Sequence, residues 1–100
     1  MTTKPTRIGL GGFGNVAAQL SRAILGDGGD GGNGMEITAI SAGNLAAAAE
    51  RSAKLGLKVP VVPASELPDH ADVIVECATY EAFRDVLEPA ILAGRHVIAV

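Results

Sequence analysis

Ile8-Gly9-Leu10-Gly11-Gly12-Phe13-Gly14 is the stretch that decides the reading of this chain. Apolar residues run into glycines spaced G-x-G-x-x-G. That spacing belongs to a dinucleotide-binding turn set between a strand and a helix. Each glycine has its own expected task. Gly9 lets the chain turn off the strand, Gly11 lets backbone approach a pyrophosphate, and Gly14 lets the next helix pack closely. The start of that helix offers unpaired N–H groups and the positive end of its dipole to phosphates.

The spacing alone is weak evidence, and the β/α alternation around it supplies the context. Residues from about Thr6 to Leu10 read as a first strand. A helix from about Asn15 to Leu25 stacks Val16, Leu20 and Ile24 on one face, with Gly26 as its C-terminal cap. Asp27 to Gly34 is polar and glycine-rich and reads as a mobile surface loop. Its two aspartates repel phosphate and no helix starts directly after it, so it is not a second phosphate cradle.

A second strand runs from about Glu36 to Ala42, and Asn44 caps an alanine-rich helix from about Leu45 to Leu55, ended by Gly56. Val59 to Val62, interrupted by prolines at 60 and 63, reads as an edge strand. Ala64 to His70 is a turn with a helical fragment. Asp72 to Ala78 forms a fourth strand, and Thr79 caps a helix from about Tyr80 to Ala93. Pro89 lacks the helical donor, so a kink or break is expected there. His96 to Val100 opens a fifth strand.

This alternation predicts an α/β fold, a doubly wound parallel sheet in the order 3-2-1-4-5. The first and fourth strands then flank the switch point, where such sheets bind ligands. Gly9 to Gly14 and Cys77 to Thr79 fall at the carboxyl ends of these neighbouring strands.

The chain has 100 residues, enough for one small domain, and residues 1–100 read as an incomplete nucleotide-binding domain whose catalytic second domain is absent. So short a domain buries a small share of its surface, and marginal stability is expected. The net charge is −3 with no basic run, which argues against nucleic-acid binding through a charged patch. Cys77 is the single cysteine, so no internal disulfide can form and a reducing compartment fits. The first residues do not read as a signal peptide, and no apolar run approaches a membrane span. The expected location is the cytoplasm, with no membrane partner.

The carboxylate that grips the adenosine ribose belongs at the end of the second strand. Glu36 lies at roughly the usual twenty-residue distance from the glycines. It nevertheless precedes the apolar run Ile37 to Ile40, which puts it at the wrong end of the strand. The strand ends in Ser41-Ala42-Gly43-Asn44, without a carboxylate. Ser41 and Asn44 can hydrogen-bond a ribose hydroxyl or a phosphate, while Arg51 and Lys54 sit far along the next helix for such a contact. NAD and NADP are both admitted as cofactors, with a lean to NADP.

No full catalytic set is visible. Cys77 would need a base beside it to act as a nucleophile. His70 precedes the fourth strand and His96 opens the fifth, both at the far end of the sheet. Two isolated histidines do not make a metal site. Glu76 must be paired if buried and reads as structural. Tyr80 either lines the cleft or packs on the surface. The substrate site is expected beyond Val100 or in a partner chain.

At Gly9-Leu10-Gly11-Gly12-Phe13-Gly14, Val73-Ile74-Val75-Glu76-Cys77-Ala78 and Pro89 to Ile98 the chain resembles the L-aspartate dehydrogenase family. The resemblance implies a Rossmann-like cofactor portion of an enzyme that oxidises L-aspartate to iminoaspartate with NAD or NADP, feeding NAD biosynthesis. It also implies a homodimer whose catalytic histidine belongs to a second domain. By that resemblance Gly11, Gly12, Phe13 and Gly14 contact the pyrophosphate, and Cys77, Ala78 and Thr79 line the cleft near ribose and nicotinamide. The chain departs from the family in its glycine loop and in Gly43-Asn44, where the family often has Arg-Asp. The isolated chain is expected to be inactive. Two competitors are a nucleotide-sensing or interaction module without catalysis and a homoserine- or dihydrodipicolinate-type dehydrogenase on the same scaffold.

Overall fold

The computed structural model describes residues 5–26, 34–77 and 83–99. Strand β1 (Thr6–Gly11) is followed by α1 (Asn15–Gly26), β2 (Met35–Ser41) and α2 (Leu45–Lys54). A short 3-10 helix (Ala64–Asp69) leads to β3 (Val73–Glu76), α3 (Phe83–Leu92) and β4 (His96–Ala99). All pairings are parallel, and the order β2-β1-β3-β4 places the glycine-bearing strand inside the sheet.

The expected strand at Val59–Val62 is reduced to one bridge, between Ile40 and Val61, on the outer side of β2. Its two hydrogen bonds run from Ile40 N to Pro60 O and from Val62 N to Ile40 O. Pro60 and Pro63 flank this pair and have no N–H to extend the ladder. The order 3-2-1-4-5 is therefore approximate: the place of the third strand is kept, but the strand is not.

The sheet separates two apolar cores. One holds Ile8, Leu10 and Val75 with Ile37 and Ile40 against α1 and α2. The other holds Ala39 and Ile74 against the 3-10 helix and α3, through Leu67, Ala71, Val86 and Ala90. Full burial of a side chain such as Leu10, Ile40 or Ile74 stabilises by about 1.5–3 kcal/mol each. Ile37 and Ile40 share a core although strand alternation puts residues two apart on one face. A bulge explains this. Ile8 pairs with Ile37, but Gly9 pairs with Ala39, so Thr38 is the extra residue.

Helix boundaries follow local chemistry. Asn44 Oδ1 accepts from the Ala47 N–H at 3.0 Å, which caps α2 as expected. Buried Ile24 and half-buried Leu20 turn one face of α1 to the core. Helix α3 runs on past Pro89 to Leu92, and Ala93 N still bonds Pro89 O at 3.0 Å, so the expected break is not found. The proline forgoes only its own bond to the carbonyl one turn earlier, at exposed Asp85. The glycine-rich segment 27–33 lies outside the described residues.

At the opposite end of the sheet from the glycine turn, Arg7 donates two hydrogen bonds to Asp72, at 2.9 and 3.2 Å. The Arg7 hydrogen bond holds the Asp72 carboxyl below the usual carboxylate range. His70 ends the 3-10 helix, and His96 opens β4 with its N–H on Asp72 O. Both histidines therefore sit at this end, as expected. Glu36 also lies here, in register with Arg7, at the opposite end of β2 from the glycine turn.

Candidate functional site

Gly11, Ser41 and Glu76 end their strands side by side. Gly12 N donates to Ser41 O at 2.7 Å, and Cys77 N donates to Gly11 O at 2.8 Å. These bonds tie the three strand ends to the start of the glycine turn. The turn itself is made at Gly12, whose φ of 102° is open to glycine and strained for other residues.

The glycines divide the work differently from the sequence expectation. Gly9 lies within β1, where an added Cβ would stand 3.1 Å from side-chain atoms of Leu67, Ala71 and Ile74. Gly11 is the close helix contact: a Cβ there would lie 2.4 Å from Val86 Cγ1. Gly14 was expected to provide that close packing, yet an added Cβ meets nothing within 4 Å. It opens α1, and Ala18 N bonds Gly14 O at 3.0 Å.

A cleft of about 1000 Å³ opens above these strand ends. Gly12, Phe13, Gly14, Ser41 and Cys77, all anticipated, line it together with Gly43. Gly9, Gly11 and Asn44 are not on its lining. Ala78, Thr79 and Tyr80 lie outside the described residues. The opposite wall is Asp85, Val86, Glu88, Pro89 and Leu92 of α3, with Pro63, Ala64 and Ser65 at one side. The sequence reading missed this wall. The signal was available in the crossover rule, which lays the helix after the fourth strand beside that strand's end. The volume is at the upper end of ordinary ligand clefts, and its open glycine corner suits a dinucleotide phosphate.

Arg51, expected far along α2, is not on the cleft lining but does touch the glycine turn. Its Nη1 donates to Phe13 O at 3.1 Å, so the side chain does reach the glycine turn. Lys54 does not take part there and lies 3.5 Å from Glu50. No carboxylate follows β2 before α2 begins, and Ser41 is buried with its carbonyl already used by Gly12.

Cys77 is half-buried at the cleft. Burial, and then the charge of Glu76, push its thiol above the ordinary range. At neutral pH it is a neutral thiol, the wrong form for a nucleophile. Glu76 is buried at the end of β3. Among the described residues no cluster of three or more His, Cys, Asp or Glu can hold a metal ion, and no helix is long and apolar enough to cross a membrane.

A parallel, doubly wound sheet with a glycine turn and a cleft at its switch point defines a Rossmann-type nucleotide-binding domain. The chain belongs to the family described as the NAD-binding domain of homoserine dehydrogenase, matched over residues 12–100. NAD or NADP is thus its cofactor class. The L-aspartate dehydrogenase 3 of Bordetella bronchiseptica is 39% identical over 67 residues, 67% of this chain and 25% of that protein. The L-aspartate dehydrogenase of Bradyrhizobium diazoefficiens is 30% identical over 97 residues, 94% of this chain and 32% of that protein. The chain therefore spans between a quarter and a third of these relatives. Among solved structures, the UDP-N-acetylglucosamine 3-dehydrogenase of Acidithiobacillus ferrooxidans superposes with a TM-score of 0.73 at 18% identity. That match covers 97% of this chain and 30% of the other, and it bears on the fold alone.

Proposed function

We propose that this chain is the dinucleotide-binding portion of a cytoplasmic, homodimeric dehydrogenase that oxidises L-aspartate to iminoaspartate. The observation that carries the reading is the glycine-cornered cleft at the switch point, in a chain similar to two L-aspartate dehydrogenases. Gly12, Phe13 and Gly14 hold the pyrophosphate at the start of α1, where backbone N–H groups and the helix dipole favour an anion. Gly11 supports this corner from within β1, and Ser41 and Asn44, at the end of β2 and the start of α2, are the candidates for the adenosine ribose. Cys77 lines the cleft at the end of β3, on the side assigned to the nicotinamide. A bound nicotinamide would supply the hydride acceptor for oxidation at the substrate α-carbon. The described residues bind and orient, and the substrate-binding and acid–base groups belong to the remaining length of the relatives.

The test is a calorimetric titration of the chain with NADH and NADPH at fixed salt, beside an assay for L-aspartate-dependent reduction of NAD and NADP. Cofactor binding without turnover is the expected result. Failure of a folded chain to bind either cofactor would sink the proposed site. Turnover by the isolated chain would overturn the division of labour. The family's description favours a second reading, homoserine oxidation, so the same assay on the full-length enzyme should compare both amino acids. Preference for homoserine would replace the aspartate reading.

A further inference from the structure

Resting on that dinucleotide site, we infer that Arg51 is the cofactor-specificity residue, holding the 2′-phosphate of NADP. Three observations converge on it. The first is the missing carboxylate. Ser41-Ala42-Gly43-Asn44 offers nothing to repel a 2′-phosphate, and Glu36 lies at the far end of β2 beside Arg7. The second is the anchored guanidinium. One nitrogen of Arg51 is fixed on Phe13 O at 3.1 Å, which brings the positive charge against the glycine turn.

The third observation is that no carboxylate among the described residues pairs with this charge. Among the described residues Arg51 forms no ion pair, whereas its neighbour Lys54 lies beside Glu50. A guanidinium has five N–H donors, so one bond to a carbonyl leaves donors for a phosphate. The carbonyl also removes part of the side chain's freedom before ligand arrives, which lowers the cost of ordering it on binding. Across the cleft, Asp85 and Glu88 make the α3 wall acidic. Arg51 is not itself on the lining but is bonded to Phe13, which is, so a doubly charged phosphate is drawn to the glycine-turn side and away from α3.

The test compares NADPH and NADH binding by calorimetry in the wild-type chain and in Arg51→Met and Arg51→Lys, with 2′,5′-ADP and 5′-ADP as fragment probes. The wild type should bind NADPH about tenfold or more tightly than NADH, and added salt should narrow that gap. Arg51→Met should weaken NADPH by about 10- to 100-fold, the scale of a lost charge-assisted hydrogen bond, and leave NADH within about twofold. Arg51→Lys should recover part of the loss, since charge returns without the planar fork. Circular dichroism and a thermal melt check that each variant is folded. Equal losses for both cofactors would mean that Arg51 only positions the turn, and would overturn the assignment. So would wild-type binding of NADH as tightly as NADPH. Binding of neither cofactor by the folded wild type would instead reject the dinucleotide site itself.

Discussion

Gly9 and Gly11 lie within β1, while Gly12 and Gly14 lie in the turn beyond it, and the two pairs have opposite surroundings. The strand pair is hemmed in. Space beside Gly9 is closed by Leu67, Ala71 and Ile74, and space beside Gly11 is closed by Val86. Of the turn pair, Gly12 takes a φ of 102° and Gly14 has open space around it, and both line the cleft. One motif thus does two jobs that a spacing rule merges. Its first half brings the 3-10 helix and α3 down onto the sheet. Its second half shapes the backbone that faces the ligand. The comparison predicts that substitutions in the first half damage the fold, and substitutions in the second half damage binding.

The largest expected effect is Gly11→Ala. A methyl at that position would sit 2.4 Å from Val86 Cγ1 and 3.0 Å from Cγ2. Rotating valine exchanges one methyl for another, so α3 itself must shift. Overpacking of this kind costs about 1–3 kcal/mol. Urea denaturation of Gly11→Ala should show that loss, and adding Val86→Ala should recover part of it through non-additivity. Unchanged stability in Gly11→Ala would break the division between the two pairs.

Gly12→Ala should come next, for a reason that involves no neighbour. Holding an alanine at left-handed φ costs about 1–2 kcal/mol. The same urea denaturation should show a loss that Val86→Ala does not relieve. Cofactor affinity should also fall, because the turn at Gly12 sets the direction of the cleft-lining backbone. If Val86→Ala rescued Gly12→Ala as well, the two mechanisms would not be separable.

The alternation of strands and helices was legible in the sequence, because apolar periodicity and caps such as Asn44 act locally. The position of the cleft was legible too, since parallel connectivity places the ends of β1 and β3 together. What escaped depends on contacts distant in sequence. Thr38 becomes a bulge residue only when β2 is laid against β1. Arg51 reaches Phe13 across 38 positions of sequence, a length that helix numbering alone does not measure. Val59–Val62 has the β-branched residues of a strand, but its prolines limit pairing to the single bridge at Val61. Gly11 reads as a phosphate glycine until Val86 is found beneath it.

Gly14→Ala carries the smallest expected effect on stability and the sharpest test of the comparison. Its φ is not positive and an added methyl meets no atom within 4 Å, so neither strain nor overpacking opposes the change. Alanine lowers the entropy of the unfolded chain, a gain of about 0.4–1 kcal/mol. Alanine is also a poorer residue than glycine just before a helix, a loss of similar size. The two offset, and the melting temperature should stay close to that of the wild type. Binding should respond differently, because the methyl enters the corner of the cleft where the pyrophosphate meets the start of α1. A clash there of about 1.4 kcal/mol is a tenfold loss of affinity. Calorimetry with NADPH beside a thermal melt reads both quantities on one sample. A stable variant with weakened binding would separate the turn glycines from the strand glycines by function. A stable variant that binds as tightly as the wild type would move the phosphate away from Gly14 and toward Gly12.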